Sequence, residues 1–282
     1  MRARQFMTIG RARPGTMLPV NHEFDFSRED FGRVRRLIAG YAGISLHERK
    51  ENMVYNRLSR RLRATGYASF SDYLDQVEAA GSGEREQFVN ALTTNLTAFF
   101  REPHHFDLLK ARAKSAGRVR VWSSACSTGE EPYSAAIALR EAGCAGEVFA
   151  SDIDTDALGI AREGVYREKS FDEADAGRMR PHFLRGTGDN ARFVKVRPEL
   201  RAMVKFAFRN LLARDWPPHE RFDVVFCRNV MIYFDRATQL ALLERLAGVL
   251  APGGFLFLGH SESCASGHPA FRACGKTAYA RR

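Results

Sequence analysis

Cysteines are few in this chain, and long apolar runs are absent. The five cysteines among 282 residues are scattered and show no C-x-x-C spacing, which predicts neither a disulfide framework nor a zinc site. No apolar stretch reaches the roughly 18 residues of a transmembrane helix, and the N-terminus has no apolar signal-peptide core. We therefore expect a cytoplasmic protein that is not exported and holds no metal.

The sequence also lacks a complete fingerprint for a phosphate-bearing cofactor. The stretch VWSSACSTGEEPYSAAIAL, residues 121–139, begins like a strand and turn but has only Gly129 in place of G-x-G-x-x-G. Glu130 and Glu131 would stand where a pyrophosphate binds, and repulsion between close like charges near a protein surface is about 4 kcal/mol. NAD and ATP are therefore disfavoured as ligands.

Acidic residues are outnumbered by basic ones. Lysines and arginines number 43 against 33 acidic residues, which gives a formal net charge of +10. Such a charge favours an acidic partner, which can be nucleic acid, an anionic membrane surface or a carboxylate-rich protein. Charge alone does not choose among these three.

Two kinds of pattern divide the chain. Helical spacing dominates as far as a glycine-rich linker at 81–83, and from Arg118 short β-rich runs alternate with helical patterns. This alternation predicts an α/β fold with an open, doubly wound, mostly parallel sheet, preceded by a small all-α domain. The expected divisions are a flexible basic tail (1–20), an N-terminal helical domain (21–83), inter-domain helices (84–117) and a sheet domain (118–282) with a small antiparallel β insert at about 180–200.

A cationic ligand would be attracted by the acidic loop that repels phosphate. S-adenosylmethionine carries a sulfonium and an α-ammonium group, and its adenosine has no phosphate. Asp152 follows the next predicted strand, at about the 20-residue spacing at which an acid binds ribose hydroxyls, although Asp154 could serve instead. The alternative is that Glu130 and Glu131 only complement the positive end of a helix dipole.

Six segments, in this order and spacing, resemble the CheR family of chemotaxis receptor glutamate methyltransferases. They are NLTAFFRE, WSSACSTGEEPYS, ASDID, RNLL, FCRNVMIYFD and GHSE. The resemblance runs from about Asp25 to Tyr279, and many members have Gly where Ala125 stands. It implies a class I S-adenosylmethionine-dependent methyltransferase fold and an enzyme that forms glutamate methyl esters during receptor adaptation.

The resemblance also implies functions for individual residues. Arg101 and Tyr233 would flank the methyl-transfer site, although Tyr233 could equally be a core aromatic. Glu131 would bind near the methionine ammonium group and Asp152 the ribose. The full set implied to bind the cofactor is Asn95, Thr97, Arg101, Glu131, Asp152, Asn210, Leu211, Arg228 and Asn229.

The second predicted helix carries a basic arc. Val54, Leu58 and Leu62 share one side of a helical wheel, and the basic residues occupy the remainder. The resemblance implies that this arc binds the methylation helices of chemoreceptors, and the alternative is a solvated cationic surface. The substrate-binding residues expected on it are Arg57, Arg60, Arg61 and Arg63.

Other partners follow from the same resemblance. The β insert would correspond to a subdomain that in some members docks the C-terminal peptide of a receptor by strand addition. We expect a monomer that reaches the membrane only through its receptor and does not bind nucleic acid directly.

Three rival classes of protein stay open at this point. A nucleic-acid methyltransferase would suit the positive charge, but WPPHE at 216–220 does not match the Asn/Asp-Pro-Pro-aromatic motif of amino-directed enzymes. A non-catalytic sensor of S-adenosylhomocysteine and a phosphate-cofactor oxidoreductase are the others. No catalytic base stands out, and His104 and His105 are expected in the first turn of a helix.

Overall fold

The structure of the protein is a computed structural model, and it describes residues 23–171, 176–213, 216 and 221–282. The predicted basic tail (1–20) and most of the WPPHE segment lie outside these residues. The helices are α1 (Arg28–Ala42), α2 (Glu51–Thr65), α3 (Phe70–Glu78), α4 (Glu84–Leu92), α5 (His104–Ser115), α6 (Glu130–Glu141), α7 (Thr155–Glu163), α8 (Ala176–Met179), α9 (Pro198–Arg201) and α10 (Arg236–Val249). The strands are β1 (Arg118–Ser123), β2 (Ala145–Asp152), β3 (Val165–Arg167), β4 (Phe183–Arg185), β5 (Phe193–Val196), β6 (Val204–Phe208), β7 (Phe222–Phe226), β8 (Leu250–Phe257), β9 (Phe271–Gly275) and β10 (Ala278–Arg281).

Helices α1 to α4 form the N-terminal domain around a core of their own. Helix α1 begins at Ser27, whose hydroxyl accepts from the Asp30 backbone while the Asp30 carboxylate accepts from the Ser27 backbone, a reciprocal capping box. Helix α4 contributes Phe88 to the same core. Although the helical domain was expected to end at residue 83, the buried residues of α4 join the core of α1 to α3, and we describe α4 with that domain.

The main sheet has seven strands in the order β6-β2-β1-β7-β8-β10-β9. Strands β6, β2, β1, β7 and β8 are parallel, and β10 pairs antiparallel with β8 and β9. Apolar clusters lie on both faces of this sheet. The predicted open, mostly parallel sheet is confirmed, but β9 and β10 were not anticipated, since neither follows a crossover helix.

A second, small sheet interrupts the alternation, with antiparallel strands in the order β3-β5-β4. The predicted β insert is present, although it starts earlier than residue 180 because β3 begins at Val165. No helix within the described ranges is long and apolar enough to span a membrane.

Candidate functional site

One cavity of about 650 Å³ opens beyond the carboxyl ends of the parallel strands, between the helical domain and the sheet domain. This is the edge at which open α/β sheets bind ligands. Its lining includes every residue that we expected to bind the cofactor or flank the reaction: Asn95, Thr97, Arg101, Glu131, Asp152, Asn210, Leu211, Arg228, Asn229 and Tyr233. Residues from five separate segments thus line one cavity, and their individual functions stay predictions.

The loop between β1 and α6 brings Glu131 to the cavity. Gly129 precedes α6 with φ +99°, and a Cβ at this position would come within 2.8 Å of the Tyr166 hydroxyl. Glu131 in the first turn lines the cavity, whereas Glu130 accepts a hydrogen bond from Thr128 at 2.6 Å and is not part of the lining. Of the two acids in this loop, only Glu131 can face a ligand in the cavity.

Glu131 and Arg228 are both buried and form an ion pair. One Glu131 oxygen accepts from the Ser123 hydroxyl at 2.6 Å, and the other accepts from Arg228 Nη1 at 3.0 Å. Burial raises the pKa of Glu131, while Arg228 and Ser123 oppose that rise. Arg228 also lies 3.6 Å from Glu102 and donates to the Arg101 carbonyl. Arg228 therefore ties the acidic loop to the segment that carries Arg101.

Asp152 ends β2 with its carboxylate facing the cavity. Its oxygens accept from the backbone nitrogens of Ser127 at 2.7 Å and Asp154 at 2.9 Å. Burial raises its pKa, and these backbone hydrogen bonds oppose the rise. A carboxylate has about four lone-pair sites, so Asp152 retains acceptor capacity for a ligand hydroxyl.

Asp154 is committed to other contacts. One of its oxygens caps α7 by accepting from the Ala157 nitrogen at 3.0 Å. The other accepts from the Thr93 hydroxyl and from Asn95 Nδ2, the latter at 2.7 Å. Asp154 is absent from the cavity lining. The geometry therefore favours Asp152 over Asp154 as the ribose acceptor.

Two predicted amide residues join the domains. Asn95 Oδ1 accepts from the Ser127 hydroxyl at 3.0 Å, in addition to its bond with Asp154. Asn210 Nδ2 donates to the Tyr41 carbonyl of α1 at 2.8 Å. Both side chains line the cavity, but their described hydrogen bonds hold protein segments together.

The Arg101 side chain is half-buried and lines the cavity. Its Nη1 donates to the Leu96 carbonyl at 2.7 Å. Glu102, the next residue, accepts instead from His260 Nδ1 at 2.7 Å and lies 3.6 Å from His105 Nδ1. Arg101 thus keeps donors that can meet an incoming carboxylate. His104 and His105 lie in the first turn of α5, as the sequence predicted.

The basic arc of α2 differs from its expected arrangement. Arg57 donates to the carbonyls of Leu92 at 3.0 Å and Thr93 at 2.5 Å, and Arg61 forms an ion pair of 2.5 Å with Glu84. These two arginines hold α2 to α4 and to the segment that follows it.

The other two arginines of the arc face solvent. Arg63 forms an exposed ion pair with Glu23 at 2.8 Å. Arg60 is exposed, as is Lys50 at the start of α2. Of the four, only Arg57 belongs to the cavity lining. The four arginines therefore do not share one environment, and their binding of receptor stays a prediction. A helical wheel shows which side of α2 is apolar but not that α4 packs beside its polar flank.

Comparison with known proteins identifies the same two domains. The family model for the CheR methyltransferase all-alpha domain matches residues 29–93, and the model for the CheR methyltransferase SAM binding domain matches residues 95–280. The chain is 48% identical over 267 residues to chemotaxis protein methyltransferase 2 of Pseudomonas aeruginosa, covering 92% of this chain and 95% of the relative. It is 47% identical over 270 residues to the chemotaxis protein methyltransferase of Escherichia coli, with 94% of each chain covered. Its two domains and these relatives show that the chain belongs to the CheR methyltransferase family.

Proposed function

We propose that this protein transfers the methyl group of S-adenosylmethionine to glutamate side chains of chemoreceptors, forming methyl esters that tune receptor adaptation. The observation that carries this proposal is the cavity between the domains, which is lined by Glu131, Asp152 and Arg101. The acids suit a cationic nucleoside, and the guanidinium suits a carboxylate substrate.

The residues of the cavity fit S-adenosylmethionine. Asp152 would accept hydrogen bonds from the ribose hydroxyls, and Glu131 would place its carboxylate where a methionine ammonium group would bind. The buried Leu211 offers an apolar surface beside the adenine, and a cavity of about 650 Å³ lies within the range of small-molecule sites. No phosphate is needed, which agrees with the acidic loop.

The reaction needs alignment more than proton transfer. When bound, S-adenosylmethionine supplies an electrophilic methyl group on a positively charged sulfur. The ordinary pKa of a glutamate is about 4.3, so its carboxylate is ionised at neutral pH and no base is required. A carboxylate oxygen of the substrate forms the new bond to the methyl carbon, the sulfur keeps the electron pair of the broken bond, and no proton moves. Arg101 would orient the carboxylate, and the buried walls of the cavity would exclude water.

The substrate is proposed to approach across the mouth of the cavity. Lys50 lines this mouth and is exposed, and Arg60 follows on the same helix without a described ion pair. Leu96 and Ile232 also line the cavity, with 76% and 50% of their surfaces exposed. Cationic and apolar side chains together suit an amphipathic helix that presents glutamates.

Two finer points about partners stay proposals. In the small sheet β4 pairs only with β5, and we propose that a receptor peptide adds a strand at the other edge of β4. We also propose a cytoplasmic monomer. Peptide titration and sedimentation velocity would test these two proposals separately.

The deciding experiment incubates the protein with methyl-labelled S-adenosylmethionine and chemoreceptor-containing membranes. We expect label on the receptor that is released as methanol by mild base, because esters are base-labile and methylamines are not. Membranes without receptor, and purified DNA or RNA, serve as controls. Label that resists base, or label on nucleic acid instead of receptor, would overturn the proposal.

A further inference from the structure

Glu262 is a buried carboxylate beside the site but outside the cavity lining. Only 3% of its surface is exposed, and it lies in the GHSE segment that follows β8. Nothing in the proposed binding of cofactor or substrate uses it. A buried carboxylate carries a large desolvation penalty, so its surroundings must compensate for it.

Four backbone amides surround this carboxylate. One oxygen accepts from the nitrogens of Asn229 at 2.9 Å and Gly259 at 2.6 Å. The other accepts from the nitrogens of Met231 at 2.8 Å and Ile232 at 3.3 Å. The neighbouring cation Arg228 pairs with Glu102 and Glu131 instead. Glu262 therefore depends on oriented amide dipoles rather than on a counter-ion.

Three of these amides belong to one segment, residues 229–233, which forms a wall of the cavity. Asn229, Ile232 and Tyr233 from this segment line the cavity. Asn229 has φ +58°, a left-handed conformation that is uncommon outside Gly and in which Asn is enriched among the other residues. The bonds from the backbone nitrogens of Asn229, Met231 and Ile232 to Glu262 stabilise this turn.

The same segment contacts both domains. The Tyr233 carbonyl accepts from the Ser45 nitrogen of the helical domain at 2.9 Å. On its other side, Gly259 packs so closely that a Cβ there would come within 2.9 Å of the Asn229 nitrogen and of Glu262 Oε2. The segment has little freedom while Glu262 accepts these bonds.

We propose that Glu262 is a positioning residue for methyl transfer, whose carboxylate fixes segment 229–233 and so places Asn229 and Tyr233 at the cofactor and the reacting groups. Glu262 touches neither ligand and acts through these two residues. The inference rests on the proposed function for its catalytic consequence, but the positioning of the segment can be measured without any substrate.

An amide cannot replace this carboxylate. The side chain of Gln has nearly the same size, but its NH₂ group is a donor and would face backbone N–H donors. At least one pair of accepted bonds would be lost, with no change in volume. Asp keeps two acceptor oxygens on a side chain that is one methylene shorter, and it would restore part of these hydrogen bonds.

The test compares Glu262→Gln and Glu262→Asp with the wild type and with Glu141→Gln. Glu141 is a partly buried carboxylate that pairs with Arg178 and Lys110, away from the cavity, and it controls for the general loss of a structural charge. Three quantities are measured on the full chain: S-adenosylhomocysteine affinity by calorimetry, receptor methylation at saturating cofactor, and amide hydrogen exchange by mass spectrometry.

In Glu262→Gln we expect cofactor affinity to fall by about 10- to 100-fold, as for the loss of hydrogen bonds to a charged group. Methylation at saturating cofactor should fall as well, and Glu262→Asp should recover part of both losses. Exchange should accelerate in segment 229–233 while strand β1 keeps its protection. Glu141→Gln should change none of these.

Two results would overturn the inference: unchanged affinity, rate and exchange in Glu262→Gln, or loss of protection throughout the chain in parallel with activity. The second result would make Glu262 a residue of general stability. A wild-type protein that methylates no receptor would overturn the proposed function instead, and the affinity and exchange data would still decide the positioning of the segment.

Discussion

Arg228 and Glu131 form a buried ion pair, with Nη1 of the arginine 3.0 Å from Oε2 of the glutamate. Glu102 lies on the other side of the same guanidinium, at 3.6 Å. Two buried carboxylates thus share one arginine, and Glu102 has a second partner in His260. The charge of Arg228 opposes the rise that burial causes in the pKa of Glu131, and its bond to the Arg101 carbonyl fixes the segment that carries Arg101.

Removal of this cation should be costly to stability. Arg228→Ala leaves the buried Glu131 without its ion-pair partner and removes one of the cations beside Glu102. Breaking a buried pair in this way destabilises a protein by about 3–5 kcal/mol. Chemical denaturation of the variant and the wild type measures the difference. Arg185→Ala is the matched control, because Arg185 is exposed and pairs with Glu168 at the surface, where a pair contributes about 0–1 kcal/mol. A similar small change in both variants would contradict this account of the site.

Substitution of Asp152 and of Asp154 should affect different properties: ligand affinity for the first and stability for the second. Asp152→Ala should weaken S-adenosylhomocysteine binding by about 1.5–3 kcal/mol, because a charged acceptor of the ligand is removed. Asp154→Ala should mainly lower stability, by about 1 kcal/mol or more, through loss of the α7 cap and the contacts with Thr93 and Asn95. Calorimetric titration and thermal unfolding of both variants test this. Unchanged affinity in Asp152→Ala would assign the ribose to another acceptor.

Charge reversal on α2 should distinguish Arg60 from Arg57. Arg60→Glu should slow receptor methylation several-fold with unchanged cofactor affinity, because an exposed attraction becomes a repulsion. Arg57→Glu should destabilise the protein, since it removes the donors to the Leu92 and Thr93 carbonyls.

Receptor methylation rates, cofactor titrations and unfolding curves of the two variants separate these effects. Added salt should slow wild-type methylation more than that of Arg60→Glu, because exposed charges are screened over about 8–10 Å. Full methylation in Arg60→Glu would exclude this surface from substrate encounter.

Leu96 should contribute to substrate binding through its exposed apolar surface. Leu96→Ala should raise the receptor concentration at half-maximal rate while the free energy of unfolding changes by less than about 0.5 kcal/mol, as expected for an exposed residue. Ile160→Ala is the control, because Ile160 is also exposed but lies on α7 outside the cavity lining. Equal effects of the two substitutions on receptor methylation would argue against apolar docking at the mouth.

His105 should make stability depend on pH. Burial lowers its pKa from 6.5 to about 3, and the charge of Arg228 acts in the same direction while Glu102 opposes it. Between these values the unfolded chain binds a proton that the folded chain does not. The contribution of His105 to the free energy of unfolding is therefore full above about pH 6.5. It is lost as pH falls, by at most about 1.4 kcal/mol per pH unit.

His105→Phe keeps an aromatic ring that can stack on Phe257 but cannot titrate. The difference in free energy of unfolding between wild type and variant should therefore change between pH 7 and pH 5 in favour of the variant. Urea denaturation at several pH values measures it. A constant difference would show that His105 titrates alike in both states.

The sequence predicted most of the sheet domain because its signals are local and repeated. Short β-rich runs alternating with helical patterns were enough for a parallel sheet, and the polar residues at the ends of these runs predicted where a ligand would bind. Glu131 and Asp152 were singled out by this rule, since parallel strands present their carboxyl ends at one edge, and the CheR resemblance supplied their expected functions. Strands β9 and β10 were not predicted, because an antiparallel pair at the edge of the sheet is not preceded by the helical patterns that alternate with the parallel strands.

What the sequence by itself determined is the class of fold, the family and the segments that form the cavity, because each depends on residues close together in the chain. Only the tertiary structure decided which charges are free to act. Arg57 and Arg61 bind α4 and the segment after it. Asp154 caps α7 through its carboxylate. Glu262 accepts hydrogen bonds from backbone amides of a loop about thirty residues earlier. Whether a charged side chain serves a ligand or the protein depends on partners brought near it by packing, and no local pattern records those partners.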